Sequence, residues 1–259
     1  MSPSRDVLLE PLSPPGEPAT VQALLARLRP RERAGGDRPF TFVNMIATID
    51  GRAALDGHTE ALGDEADLAV LLELRTLADA VLVGPGTVRA EGYAELVRAP
   101  ERRARRVAAG QAATPPAVVI SRRFDLPWDA GLFAAPGQPV LVYTAASAAA
   151  QPQPQPPAGL AAPVEVIALP VPSPAAVVAD LRGRGVRALL CEGGPTLNRG
   201  LLEAGVVDEL FLTLSPLLTG DGSEPGIVAG GRLGASATLE LEWVLRHRDE
   251  LFLRYSVAG

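Results

Sequence analysis

Two short apolar runs in this chain lead directly into glycines and then into a proline-marked helix start, and this arrangement restricts the fold more than any other feature. Val81–Val83 is followed by Gly84-Pro85-Gly86, and Leu189–Cys191 is followed by Glu192-Gly193-Gly194-Pro195. Proline is well tolerated in the first turn of a helix, because its missing N–H has no partner there anyway. Repeated strand–turn–helix units predict a parallel sheet with helices packed on its faces.

The same alternation of apolar runs and helical segments extends over most of the chain after Phe40. The predicted strands of this part are Phe40–Ile46, Ala80–Val83, Ala117–Ser121, Val140–Tyr143, Val164–Ala168 and Arg187–Cys191. The predicted helices are Asp64–Ala78, Pro85–Ala90, Pro174–Gly185 and Pro195–Ala204. After Glu209 only strands are expected, at Leu210–Leu214, Leu239–Leu245 and Leu251–Val257. The pattern predicts an α/β fold with one mixed sheet, helices on both faces and antiparallel C-terminal strands.

The domain organisation is predicted from changes in composition. Residues 1–39 form an N-terminal accessory arm with a strand at Val7–Leu9 and a helix at Val21–Leu28, and residues 40–259 form a single domain. The arginine-rich segment Arg98–Arg106 is expected to be a solvated helical face or an excursion from the domain. Gln151–Pro157 alternates proline and glutamine, which is typical of an exposed linker.

Composition excludes several classes of protein. A net charge of −6 argues against a nucleic-acid-binding protein, which needs a clustered basic surface. The chain has no lysine, so any phosphate contact must come from arginine or from backbone amides. The single Cys191 allows no internal disulfide and favours the reducing cytoplasm. No apolar run is long enough to cross a membrane, and no membrane or nucleic-acid partner is expected.

The two glycine-containing turns are candidates for a dinucleotide site. Glycines let a ligand approach the backbone closely, and a helix start offers unpaired N–H groups to an anion such as a pyrophosphate. The alternative is that both turns simply require glycine. Neither matches an established fingerprint, because Arg89 stands where a third Rossmann glycine belongs and a phosphate-binding loop needs a lysine.

Three further positions have a possible chemical role. Ser121-Arg122-Arg123 closes a strand with a hydroxyl and two guanidiniums, which suits the 2′-phosphate that separates NADPH from NADH; the alternative is a pair of exposed loop charges. Asp50-Gly51 ends the first strand of the domain and is also explained by a simple turn. His58 and His247 are isolated, which predicts neither a metal site nor a catalytic triad.

Three blocks of sequence resemble the riboflavin-biosynthesis pyrimidine reductase family, the reductase domain of bifunctional riboflavin-biosynthesis proteins. The first is Phe42–Arg52, and the second runs from Leu74-Arg75 to Val88. The third begins at Glu192–Leu197 and continues through Gly205–Leu210 and Pro216–Gly220. Their order and spacing match the family across residues 40–222.

The resemblance implies a dihydrofolate-reductase-like fold, a homodimer, and reduction of 5-amino-6-(5-phosphoribosylamino)uracil to its ribitylamino product with NADPH. With the glycine turns and Arg122 included, the predicted cofactor residues are Ala47, Ala61, Gly84, Thr87, Glu91, Ser121, Arg122, Gly193, Gly194, Pro195, Thr196 and Leu197. The resemblance places Asn44, Thr59, Arg75, Arg98 and Glu192 at the small-molecule substrate. Asp50 is the candidate for proton delivery or for orienting the sugar.

The chain also departs from the family's pattern, mainly at the substrate end. Asn44 stands where the family usually has a lysine that contacts the sugar, and asparagine supplies no positive charge. Ala61 replaces an aromatic residue, Glu91 replaces an aspartate, and Gly92-Tyr93 replaces an Asp-Pro pair. No zinc-deaminase motif is present, so a stand-alone reductase without a metal is expected. The alternatives are a reductase of another pterin or pyrimidine, such as dihydrofolate, and a non-catalytic NADPH sensor.

Overall fold

The computed structural model describes residues 7–146, 155–220 and 222–258, so most of the predicted Gln151–Pro157 linker lies outside the described residues. The strands within these ranges are β1 (Leu8–Ser13), β2 (Ala19–Thr20), β3 (Phe40–Thr48), β4 (Ala80–Val83), β5 (Ala117–Ile120), β6 (Val140–Ala145), β7 (Val164–Leu169), β8 (Ala188–Cys191), β9 (Glu209–Ser215), β10 (Leu239–His247) and β11 (Glu250–Val257). The helices are α1 (Val21–Leu25), α2 (Glu65–Leu77), α3 (Pro85–Ala90), α4 (Pro100–Ala108), α5 (Gly131–Ala134), α6 (Pro174–Gly183) and α7 (Pro195–Glu203), with a 3-10 helix at Pro30–Arg33.

All the strands of the described part join one mixed sheet, in the order β2-β1-β10-β11-β9-β3-β8-β4-β5-β6-β7. The seven strands from β9 to β7 in this order are parallel to one another, and β11, β10 and β1 continue the sheet antiparallel. The predicted antiparallel C-terminal strands are therefore confirmed for β10 and β11, whereas β9 runs parallel to its neighbour β3. Because β4 and β8 are neighbours, the two glycine turns leave the same edge of the sheet side by side.

Helices cover both faces of the sheet, as predicted. Side chains of a strand alternate between its two faces, and β3 shows this clearly: Phe42 packs into a core that includes Leu74 of α2, whereas Val43 packs into a second core that includes Leu181 of α6 and Leu201 of α7. The two cores hold the sheet between two helical layers. This places the starts of α3 and α7 at the carboxyl edge of the parallel strands.

The N-terminal segment is built into this domain. β1 pairs with β10, and Leu9 and Leu25 are fully buried in the same core as Phe42. Arg33, in the 3-10 helix, forms an ion pair with the buried carboxylate of Glu209. The division at residue 39 remains a prediction, but the segment before it contributes both a strand and core side chains to the rest.

The prediction that Arg98–Arg106 forms a solvated face is wrong. The segment does contain a helix, α4, but Arg106 is only 1% exposed and donates to the carbonyl oxygens of Arg75, Thr76 and Ala78 at the end of α2. Arg102 and Arg105 form ion pairs with the buried Glu73 of α2. Spacing along α4 could not reveal these partners, because they belong to α2 and to Ala78, the residue that caps it.

Candidate functional site

The two glycine turns are hydrogen-bonded to each other. The Gly84 N–H donates to the Gly193 carbonyl oxygen at 2.8 Å, and the Gly194 N–H donates to Thr87 Oγ1 at 2.9 Å. The contact is so close that a Cβ on Gly84 would lie 3.4 Å from the Gly194 nitrogen. Gly193 has a φ of +84°, and a Cβ there would lie 2.8 Å from Met45 Sδ. Close packing and backbone conformation thus both require glycine in these turns. This is the structural reason for the glycines, and it is compatible with a ligand that binds over the same turns.

A cleft of about 820 Å³ opens over these turns; we call it the glycine cleft. Its size is that of a small-molecule or cofactor site. Gly84 and Gly194 are the N-cap residues of α3 and α7, and neither helix start receives a side-chain cap. The first N–H groups of both helices therefore have no intrahelical partner and offer a partial positive charge to an anion.

Most of the predicted cofactor residues lie together around the glycine cleft. Those that line it are Gly84, Thr87, Glu91, Ser121, Arg122, Gly194, Pro195, Thr196 and Leu197. Ala47 is buried within β3, Ala61 is exposed on the loop before α2, and Gly193 is buried in the turn; none of the three lines the cleft. Met45, Ala53 and Ala54 also line the cleft. They were not predicted, because an apolar residue in a sequence gives no indication that it contacts a ligand.

Ser121, Arg122 and Arg123 lie at the end of β5 and line the glycine cleft. Ser121 is buried and donates to the Asp125 carbonyl oxygen at 3.1 Å. Arg122 and Arg123 are exposed, and within the described ranges they make no ion pair or hydrogen bond. Both guanidiniums are therefore available to an anionic ligand.

A second cavity, of about 580 Å³, lies between α2 and the segment from Glu91 to Arg105; we call it the arginine cavity. Its wall contains Arg75, Arg98, Arg102 and Arg105. Three of these arginines form ion pairs with buried glutamates, whereas Arg98 is exposed and has no polar partner in the part of the chain that the structure describes. Thr59 and Glu91 line both cavities, and the Thr59 N–H donates to Glu91 Oε1 at 3.1 Å.

Arg75 and Glu192, predicted as separate substrate contacts, are bound to each other. Arg75 Nε and Nη2 donate to Glu192 Oε1 and Oε2 at 2.6 and 2.7 Å, and the Tyr93 hydroxyl donates to Oε2 at 2.7 Å. Burial would lower the pKa of Arg75, but the Glu192 carboxylate outweighs it and raises the pKa above its usual value. Burial and Glu192 also raise the pKa of Tyr93, which therefore remains a neutral donor.

This ion pair lies between the two cavities. Glu192 lines the glycine cleft, whereas Arg75 and Tyr93 line the arginine cavity. Tyr93 is the main residue that the sequence did not single out. In the sequence, Tyr93 stood out only as part of the Gly92-Tyr93 pair that replaces the family's Asp-Pro pair. That departure gave no indication of a role in the site.

Asn44 lies in β3, one position beyond the last residue that pairs with β8. The last paired residues of β3 and β8 are Val43 and Cys191, and Asn44 and Glu192 are the next residues along the two strands. Asn44 is 9% exposed, and its Oδ1 atom is buried without a hydrogen-bond partner. A buried acceptor without a partner is costly. It lines neither cavity in this structure.

Asp50 holds a loop. Its carboxylate accepts from Thr48 Oγ1 at 2.6 Å and from the Gly220 N–H at 2.8 Å. These hydrogen bonds lower the pKa of Asp50 well below its usual value, so the group stays ionised and carries no proton to deliver. It lines neither cavity. The geometry thus favours a structural role for Asp50 in the turn over proton delivery. Its catalytic role stays a prediction.

His247 is less isolated than the sequence suggested. Its ring lies 3.8 Å from Asp64 Oδ2 and 3.7 Å from Glu65 Oε1. The guanidinium of Arg248 also pairs with both carboxylates. Burial and the neighbouring Asp64 raise the pKa of Glu250 to about 8. Arg248 therefore offsets part of the negative charge of this cluster.

Known proteins resemble the chain in sequence and in fold. The family model of the RibD C-terminal domain matches residues 39–250. The 2,5-diamino-6-ribosylamino-4(3H)-pyrimidinone 5′-phosphate reductase of Archaeoglobus fulgidus is 29% identical over 194 residues, which span 74% of this chain and 87% of that protein. The chain belongs to the RibD C-terminal domain family, and it is an oxidoreductase.

Two solved structures show the fold. A pyrimidine reductase-like protein from Corynebacterium diphtheriae superposes with a TM-score of 0.74 at 23% identity, covering 93% of this chain and 100% of that one. A diaminohydroxyphosphoribosylaminopyrimidine deaminase/5-amino-6-(5-phosphoribosylamino)uracil reductase from Thermotoga maritima superposes with a TM-score of 0.64 at 22% identity, covering 85% and 57%. The expected dihydrofolate-reductase-like fold is confirmed. Within the described residues no helix is both long and apolar enough to span a bilayer.

Proposed function

We propose that the protein reduces 5-amino-6-(5-phosphoribosylamino)uracil to its ribitylamino product with NADPH. One observation carries the proposal: the glycine cleft and the arginine cavity share a wall, formed by Thr59 and Glu91, with Glu192 at the same boundary. A reductase must hold a cofactor and a substrate side by side. Two adjoining cavities, one rich in backbone donors and one rich in arginine, suit these two ligands.

The glycine cleft fits NADPH. The uncapped starts of α3 and α7 offer N–H groups to the pyrophosphate, and Gly86 has no heavy atom within 4 Å of an added Cβ, which leaves room at the turn. Arg122 and Arg123 are free to neutralise a 2′-phosphate, which NADH lacks. When bound, NADPH supplies the hydride. The role of the chain is to orient the cofactor and to exclude water from the boundary between the cavities.

The arginine cavity fits the phosphorylated sugar. Arg98 has an uncommitted planar guanidinium, the geometry that recognises phosphate. Glu192 at the boundary is an ionised acceptor for an N–H of the heterocycle. The relative from Archaeoglobus fulgidus is named for the 2,5-diamino pyrimidinone, so this compound is the competing substrate.

The experiment is a substrate comparison that follows NADPH oxidation with purified protein. We expect turnover with the uracil compound and formation of the ribitylamino product. Faster reduction of the 2,5-diamino compound would support the reductase activity but assign it a different substrate. Turnover of dihydrofolate alone, or tight NADPH binding with no turnover of any of the three compounds, would contradict the proposal.

We further propose a homodimer that forms through the outer face of β9, β10 and β11. Half-exposed apolar side chains alternate along β9 and β11 on the face opposite the buried Phe211 and Phe252, and the exposed Leu241 of β10 extends the same face. A contiguous apolar surface of this kind marks an interaction site. Sedimentation analysis should give twice the chain mass of 27.0 kDa, and a monomer at micromolar concentration would contradict the assembly.

A further inference from the structure

His247, at the end of β10, has one ring nitrogen committed as a donor and the other without a partner. Its Nδ1 atom lies 3.0 Å from the Leu8 carbonyl oxygen, which can only accept, so Nδ1 carries a proton. In a neutral ring the Nε2 atom then has a lone pair, which is the form of imidazole that binds a metal ion. Nε2 is buried and has no hydrogen-bond partner within the described residues. A bond from Nδ1–H to a backbone carbonyl is also what orients histidines that ligate metals.

Two carboxylates from the start of α2 face this nitrogen. Nε2 lies 3.8 Å from Asp64 Oδ2 and 3.7 Å from Glu65 Oε1, and the three side chains offer ligand atoms within 4.8 Å of one another. These distances are too long for hydrogen bonds. They are close to the roughly 3.3 Å that separates two ligands of a tetrahedral zinc ion with bonds of about 2.0–2.2 Å. Asp64 can offer Oδ2 and still cap α2, because Oδ1 accepts from the Ala66 N–H.

Glu250 adds a buried acceptor beside these groups. It pairs directly with His247 in the β10–β11 hairpin, so both side chains lie on the same face of the sheet. Glu250 is 5% exposed, and its Oε1 accepts from the Asp64 N–H at 3.0 Å. Its Oε2 is buried without a hydrogen-bond partner among the described residues, which is costly. A water molecule bound to a metal ion would supply the donor that Oε2 lacks.

Arg248 is the cation that a metal ion would have to replace. Its guanidinium pairs with Glu65 Oε1 at 2.7 Å and with Asp64 Oδ2 at 3.7 Å. The side chain is 64% exposed, so it can turn into solvent, and an exposed ion pair of this kind contributes little stability. A divalent cation would instead meet two carboxylates and an imidazole nitrogen at once.

We propose that His247, Asp64 and Glu65 form a zinc site that ties the β10–β11 hairpin to the start of α2. A ligand set of one imidazole and two carboxylates suits Zn²⁺ better than Mg²⁺ or Ca²⁺, which prefer oxygen ligands alone. The role is structural and does not depend on the proposed reduction. Arg75, which reaches the arginine cavity, lies in the last turn of α2, at the opposite end of the helix.

The test is calorimetric titration of the chelator-treated protein with zinc chloride. We expect one saturable zinc ion per chain at micromolar concentration, and a melting temperature that rises with zinc because the ion binds the folded state. A second-shell partner is worth about 10- to 100-fold in metal affinity, so loss of a direct ligand in His247→Gln should cost at least about tenfold. Glu65→Gln should also weaken binding, and this half-exposed side chain can be changed without disturbing the core.

His58→Gln is the matched control. The Nδ1 atom of His58 also lies against a backbone carbonyl oxygen, that of Ala90, at 2.9 Å, but the ring belongs to no comparable group of ligands in the part of the chain that the structure describes. This variant should bind zinc as the natural protein does. The proposal is overturned by a natural protein that shows no saturable zinc binding, by unchanged affinity in both His247→Gln and Glu65→Gln, or by an equal loss in His58→Gln. A protein that binds zinc but reduces no pyrimidine would contradict only the proposed function.

Discussion

The glycine cleft and the arginine cavity adjoin each other, yet they leave a ligand very different partners. In the glycine cleft the donors are backbone N–H groups at two helix starts, together with two guanidiniums that have no partner within the described residues. In the arginine cavity Arg75, Arg102 and Arg105 are already paired with Glu192 or Glu73, which leaves Arg98. A count of charges would rank the arginine cavity as the better anion site. The pairing reverses that ranking.

The lesson is that a charged residue acts on a ligand only if the fold leaves it free. A buried ion pair binds its partner strongly and loses much if that partner is removed. Arginines of this kind organise a site without contacting its ligand. Three variants test this distinction between free and paired donors.

The largest effect is expected from Gly194→Asp at the start of α7. A Cβ at this position would lie 3.0 Å from Thr87 Oγ1, and the new carboxylate would stand where the pyrophosphate is proposed to bind. Loss of charge-assisted amide contacts and the added repulsion should weaken NADPH binding by at least about 100-fold. Titration of the cofactor by fluorescence measures this. Gly36→Asp, at an exposed glycine with no heavy atom within 4 Å, is the control, and equal affinities for the two variants would place the cofactor elsewhere.

A smaller effect, on stability and not on binding, is expected from Arg106→Met. The variant leaves the carbonyl oxygens of Arg75, Thr76 and Ala78 without their buried donor. The free energy of unfolding should fall by about 2 kcal/mol, as urea denaturation would show. NADPH affinity of the folded protein should not change. A variant as stable as the natural protein would show that water replaces the guanidinium.

The smallest effect is expected from the double substitution Arg122→Ser and Arg123→Ser. If these free guanidiniums bind the 2′-phosphate, NADPH affinity should fall about tenfold while NADH affinity stays the same. Isothermal titration with both cofactors separates the two. Arg27→Ser is the control, because Arg27 is also exposed and unpaired within the described residues but does not line the glycine cleft. Equal losses for NADPH and NADH would assign the arginines a general electrostatic role.

Much of the fold could be predicted because its signals are local. Ala80–Val83 and Pro85–Ala90 agree with β4 and α3 residue for residue, since an apolar run, a glycine and a helix-starting proline are adjacent in the chain. The glycine cleft was predictable for the same reason. Its main donors are backbone groups whose positions follow from the turn itself. Ala47 and Ala61, placed at the cofactor by resemblance alone, do not line the cleft.

The partners of the charged side chains could not be predicted, because they come from distant parts of the chain. Glu192 meets Arg75 across 117 positions and Tyr93 across 99, and no periodicity connects them. The order of most strands and helices, the two glycine turns and the family follow from the sequence. The folded arrangement is needed to show which arginines remain free, that Arg106 binds the carbonyl groups at the end of α2, and that the Tyr93 hydroxyl donates to Glu192. The physical reason is that a turn depends on neighbouring backbone, whereas the state of a charge depends on which groups folding brings within hydrogen-bond distance and shields from water.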